Sequence, residues 1–156
     1  MERRRDQLRH PQSNDPIRPS QKLVDPTVCP DCQATYHEGR WTWRPGPVDA
    51  PRHLCSACER IRDDYAAGFV RVRGRFALAH RDEILAIIRN TEARQKQEHP
   101  IHRLMDVVED GADLFLRTTE PHLAQAIGHA LEGAFKGKLV LDFEEDIVRI
   151  LWERED

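Results

Sequence analysis

Cys29-Pro30-Asp31-Cys32 and Cys55-Ser56-Ala57-Cys58 decide how this chain folds, because no other cysteine occurs among its 156 residues. A thiolate pair two residues apart on a tight turn presents both sulfurs to one ion, and two such knuckles complete a tetrahedral site. The reading is a single structural Zn2+ held by Cys29, Cys32, Cys55 and Cys58. The 22 residues between the pairs are slightly more than the common range, and a longer hairpin absorbs the excess. Iron in a rubredoxin-like site and a redox-active Cys29–Cys32 disulfide stay open as alternatives, since ligand softness does not separate zinc from iron. A closed four-sulfur site leaves no position for water, so it serves structure and not catalysis.

Outward from the cysteines the chain changes character near residue 60. Eight of the ten prolines fall between Pro11 and Pro51, while the last hundred residues hold only Pro100 and Pro121. The expected organisation is a disordered basic arm over 1–22 (Arg3, Arg4, Arg5, Arg9, Arg18), a zinc ribbon over 23–68 and an α+β domain over 69–156. The net charge of −3 divides into +5 over residues 1–81 and −8 over residues 82–156, which points to two partners or to two differently solvated surfaces. No apolar stretch approaches the roughly 18 residues of a membrane span. The N-terminal Met1-Glu2-Arg3-Arg4-Arg5-Asp6 lacks the apolar core of a signal peptide, so the expected location is the cytoplasm, where metal binding outcompetes disulfides.

Within the ribbon, Tyr36 to Arg44 alternates aromatic or arginine with small polar residues, as a strand does. Three large rings do not fit inside so small a module. They either pack on the second domain or, beside guanidinium groups, form a surface on which bases stack and phosphates pair. Arg40, Trp41, Trp43 and Arg44 are candidates for that RNA face. A short helix from Glu59 to Ala67 is expected to end at Gly68 as a left-handed cap. The following Phe69-Val70-Arg71-Val72-Arg73 alternates at period two, which aligns Arg71 and Arg73 in a row that either tracks a phosphate backbone or protects an edge strand.

The remainder reads as one unit used twice, a helix followed by a β-hairpin. The first helix, Arg81 to His99, buries Ile84, Leu85, Ile87 and Ile88 and stops at Pro100. Its hairpin turns at Asp110-Gly111. The second helix opens with Thr118 or Thr119 as N-cap and Pro121 in its first turn. Leu123, Ala126, Ile127, Ala130, Leu131, Ala134 and Phe135 then form one apolar stripe. The second hairpin pairs Leu139–Phe143 with Ile147–Trp152 across Glu144-Glu145-Asp146. The fold class is α+β, with two αββ units forming a four-stranded antiparallel sheet, both helices on one face and the other face uncovered. The strand at Phe69 adds a fifth at the edge.

No constellation for catalysis is visible. Ser13 and Ser20 lie in the arm and Ser56 lies inside a knuckle, so none sits on a rigid scaffold beside a base. Gly128 and Gly133 fall within a helix and lack the Lys and hydroxyl residue of a phosphate loop. His37 and His53 are near the cysteines but surplus to four thiolates. His122, beside Thr118 and Thr119, completes a small polar cluster at a helix start, where a ligand contact competes with plain capping.

The run Cys29-Pro30-Asp31-Cys32, Gly39-Arg40-Trp41, Cys55 to Gly68, Gly74-Arg75-Phe76 and Thr118-Thr119-x2-His122-Leu123-Ala124 resembles bacterial NMD-type zinc-ribbon proteins affecting ribosome stability and mRNA decay. The resemblance spans about residues 25–155. More distantly it resembles the large-ribosomal-subunit export adaptor, chiefly through the cysteine pairs. It implies a non-enzymatic factor that binds RNA or the ribosome. The residues leave two other readings: a regulatory module whose acidic α+β domain binds a protein partner, with zinc purely structural, and a thiol redox sensor.

Overall fold

The structure, a computed structural model, describes residues 23–156, and the basic arm expected over 1–22 lies outside the described residues. Three short strands, β1 (Thr27–Val28), β2 (Thr35–His37) and β3 (Arg40–Thr42), pair antiparallel in that order. Glu38 and Gly39 turn β2 into β3 with φ of 53° and 85°, the left-handed pair that a two-residue hairpin requires. Helix α1 (Ser56–Asp63) starts with Cys55 as its N-cap and stops at Asp64, which adopts φ 56° and ψ 48°.

Gly68 is therefore not the helix cap expected from the sequence. It opens β4 (Gly68–Arg73), where a Cβ would stand 2.2 Å from Thr118 Oγ1 and 2.7 Å from Ala124 Cβ. The glycine is there for close approach between layers.

A short helix α2 (Arg75–Ala79) leads into α3 (Arg81–Glu98), then β5 (Leu104–Asp110), β6 (Asp113–Thr118), α4 (Pro121–Phe135), β7 (Lys138–Glu144) and β8 (Ile147–Glu153). The α+β class with two helix-hairpin units stands. One placement differs from expectation: the sheet order is β5-β6-β4-β8-β7, so β4 is the central strand and not an edge. It runs antiparallel to β6 and parallel to β8, which makes the sheet mixed, with one hairpin on each side. Burial explains the central position, since Val70 and Val72 are 0% and 1% exposed beneath the helices.

Alternation along the strands sorts their residues into two faces. Val70, Val72, Leu114, Leu116, Val148, Ile150 and Trp152 meet Ile84 and Ile88 of α3 and Leu123, Ile127 and Leu131 of α4 in one core. The opposite face carries Phe69, Arg71, Phe115, Arg117, Arg149 and Leu151 and has no helix over it. Its end nearest α1 is closed by a small cluster of Ala66, Phe69 and Ile147.

Candidate metal centre and its surroundings

Each knuckle is built by its backbone. In the first, the N–H of Gln33 donates to Cys29 O at 3.0 Å and the N–H of Cys29 to Ala34 O at 2.8 Å, with Gln33 at φ 70°. In the second, α1 begins on the cysteine: the N–H of Cys58 donates to Cys55 Sγ at 3.4 Å. Donors aimed at sulfur favour the thiolate, the form that binds metal.

Cys29, Cys32, Cys55 and Cys58 converge with their sulfurs within 4.8 Å of one another, and all four are free thiols. Thiolates bound tetrahedrally at about 2.3 Å to one ion stand about 3.8 Å apart. Cys32 Sγ and Cys55 Sγ are separated by 3.8 Å. The donor set thus fits one thiophilic metal ion. His37 and His53 are not drawn in, because His37 Nδ1 pairs with Asp25 at 2.7 Å and His53 Nδ1 lies 2.8 Å from Leu54 O.

The sulfurs do not share charge evenly. The hydrogen bond shared by Cys32 and Cys55 draws Cys32 down to about 4 and pushes Cys55 up. Burial pushes Cys58 up to about 11. A bound divalent cation removes this inequality by stabilising all four as thiolates.

A residue that sequence reading passes over completes the centre. Arg103, 45 residues beyond Cys58 in the chain, places its guanidinium 3.4 Å from Cys55 Sγ and 3.5 Å from Cys58 Sγ. Its Nε donates to Pro100 O at 2.7 Å, which fixes its direction. Burial opposes its charge, but the sulfurs of Cys55, Cys58 and Cys32 outweigh it and raise its pKa. Ile101 packs on the same cluster. No spacing rule points to Arg103, because only the fold brings it to the cysteines.

The candidate RNA-face residues fall into two groups. Trp41 packs on the cysteine cluster and meets Tyr36 edge-on at 5.5 Å, so it is largely structural. Trp43 reaches the α+β domain, its indole N–H donating to Lys96 O of α3 at 2.6 Å, and leaves 38% of its surface exposed. Arg94 and Lys96 of α3 share with it an open pocket of about 500 Å3. Arg40 and Arg44 line an adjacent cleft of about 520 Å3 that also holds Glu98 and His99. The second group is on the helix-free face of the sheet. There Arg71 pairs with Asp110 at 3.1 Å and Asp113 at 3.2 Å and lies over the Phe115 ring, whereas Arg73 is exposed.

The polar cluster at the start of α4 is also arranged differently from expectation. Glu120, not a threonine, caps the helix through Leu123 N–H at 3.0 Å. Thr119 instead donates to Ile101 O at 2.6 Å and accepts from Arg103 N–H at 3.0 Å, which ties the segment bearing Arg103 to α4. Among the described residues no helix is long and apolar enough to cross a membrane. Comparison with protein-family models, with curated proteins and with solved structures found no match.

Proposed function

We propose that the protein is a non-enzymatic zinc-ribbon factor that binds single-stranded RNA and, through it, the ribosome. Four thiolates at tetrahedral spacing support Zn2+ as the resident ion, and its part is to hold the ribbon against the α+β domain. The observation that carries the RNA reading is the environment of Trp43. A partly exposed indole shares an open pocket with Arg94 and Lys96 of α3, while Arg40 and Arg44 of the ribbon line a second cleft together with Glu38, Glu98 and His99. Arg40 and Arg44 are exposed and have no carboxylate partner among the described residues. An aromatic face ringed by cations stacks a base and pairs its phosphates. Segment 1–22, outside the described residues, carries five further arginines in the sequence.

The test is anisotropy of a labelled single-stranded RNA titrated with full-length protein over a series of salt concentrations. Arg44→Glu with Lys96→Glu is expected to weaken binding for every sequence and flatten the salt slope, since phosphate contacts carry no sequence information. Trp43→Ala is expected to cost about 1–3 kcal/mol and leave the slope unchanged. Absence of binding at low salt, where the electrostatic term is strongest, ends this reading.

A second reading has its own observation. On the helix-free face Arg71 is neutralised by Asp110 and Asp113, and Arg149 pairs with Glu144 at 2.6 Å. Val108 and Val140 remain 48% and 42% exposed among them. A neutral, partly apolar sheet suits a protein partner better than phosphate, and such a complex depends less steeply on salt.

A further inference from the structure

The cluster at the start of α4 contains a second set of metal-binding side chains, unrelated to the cysteines. His102, Glu120 and His122 each offer one ligand atom, and these three atoms lie within 4.8 Å of one another. Glu120 is the hinge of the group: Oε1 lies 3.4 Å from His102 Nε2, and Oε2 is hydrogen-bonded to His122 Nδ1. The chain brings them together from two places. His102 lies on the bend between α3 and β5, and the other two lie at the start of α4.

The arrangement around His102 is that of an oriented ligand. Its Nδ1 lies 2.9 Å from Gln95 Oε1, an acceptor that suits the tautomer with the proton on Nδ1. In that tautomer Nε2 faces the Glu120 carboxylate with its lone pair. An imidazole nitrogen and a carboxylate oxygen 3.4 Å apart, on a histidine only 9% exposed, make a seat that either a proton or a metal ion fills. Metal-bound imidazoles are held in the same way, by an outer acceptor on the second nitrogen. The positive end of the α4 dipole opposes a cation, but by about half an elementary charge, whereas Glu120 contributes a full negative one.

We propose that His102, Glu120 and His122 form a second metal site, which takes a divalent first-row transition ion through two imidazoles and one carboxylate. Donors about 2.0–2.2 Å from such an ion stand about 3.3 Å apart, close to the 3.4 Å between His102 Nε2 and Glu120 Oε1. His122 joins the set by giving up its hydrogen bond to Glu120 and turning a bare ring nitrogen toward the ion, a movement that its 77% exposed side chain allows. Three protein ligands leave a position for water or an external ligand, in contrast to the closed four-sulfur centre. Imidazole and carboxylate together select zinc, nickel, cobalt or copper over calcium or magnesium.

The test uses full-length protein already carrying its cysteine-bound ion, titrated with Zn2+ and followed by native mass spectrometry and by the histidine ring resonances. A second ion per chain is expected, with shifts confined to His102 and His122. His122→Ala and Glu120→Gln are each expected to weaken this second ion by about tenfold or more, and Gln95→Ala by about 10–100-fold, while the first ion is retained. His129→Ala, at an exposed histidine outside the cluster, is expected to change nothing. His122 is on the surface, so its replacement leaves the fold intact, which circular dichroism checks. Failure to bind a second ion under conditions that saturate the cysteines overturns the proposal. So does a second ion equally tight in His122→Ala and Glu120→Gln, or one lost in His129→Ala.

Discussion

The guanidinium of Arg103 stands 3.4 Å from Cys55 Sγ, so a residue of the α+β domain caps the sulfur cluster of the ribbon. A four-thiolate site carries two net negative charges once a divalent ion is bound, and a fixed cation with two sulfur contacts offsets part of them. The metal centre thereby becomes the joint between the two parts of the chain.

Removing Arg103 tests that joint. Arg103→Ala is expected to weaken zinc binding at the cysteines by about 10–100-fold, the usual effect of deleting an outer partner. Arg103→Lys keeps the charge but loses the fork that reaches both sulfurs, so it is expected to recover only part of the loss. Competition against a chromophoric chelator measures both. Unchanged affinity in the alanine variant reduces Arg103 to a bystander.

The second strut is Trp43. Trp43→Phe keeps an aromatic ring but deletes the donor to Lys96 O. The expected cost is about 0.5–1.5 kcal/mol, the net value of a hydrogen bond with water competing. Urea unfolding of the metal-loaded protein measures it, and an unaltered midpoint places the ribbon's hold on α3 elsewhere.

Leu131 lies at the centre of the α4 stripe and is 0% exposed. Leu131→Ala is expected to cost about 2–5 kcal/mol through lost burial and the cavity left behind. Gly68→Ala, which pushes a Cβ into Thr118 and Ala124, is expected to cost about 1–3 kcal/mol by overpacking. Denaturation midpoints for the two variants check both figures. A neutral Gly68→Ala shows that the β4–α4 contact relaxes.

What local pattern determines was legible in the sequence, and what distant pairing determines was not. The cysteine knuckles, the Asp110-Gly111 turn and the α4 stripe depend on residues within a few positions of one another, so spacing alone reveals them. The place of β4 does not. Its arginines suggest a protected edge, yet Arg71 is accommodated in the central strand because β5 and β6 bring Asp110 and Asp113 across to it. Those carboxylates are about 40 residues away in sequence, beyond the reach of any periodicity. Arg103 was hidden for the same reason, and so were the partners of His122, which the sequence places beside Thr118 and Thr119 and the fold places with His102 and Glu120. Each is assembled by the bend after α3, whose position depends on tertiary packing. At the start of α4 two threonines before a proline matched the capping rule, but Glu120 reaches the free N–H of Leu123, and the threonine hydroxyls bond elsewhere.

Zinc K-edge X-ray absorption tests the metal centre most directly, on full-length His122→Ala protein so that only the cysteine site contributes. About one zinc per chain with four sulfur neighbours at about 2.3 Å is expected. Iron in place of zinc, a first shell dominated by nitrogen or oxygen, or a metal-free protein with Cys29 joined to Cys32 would contradict it.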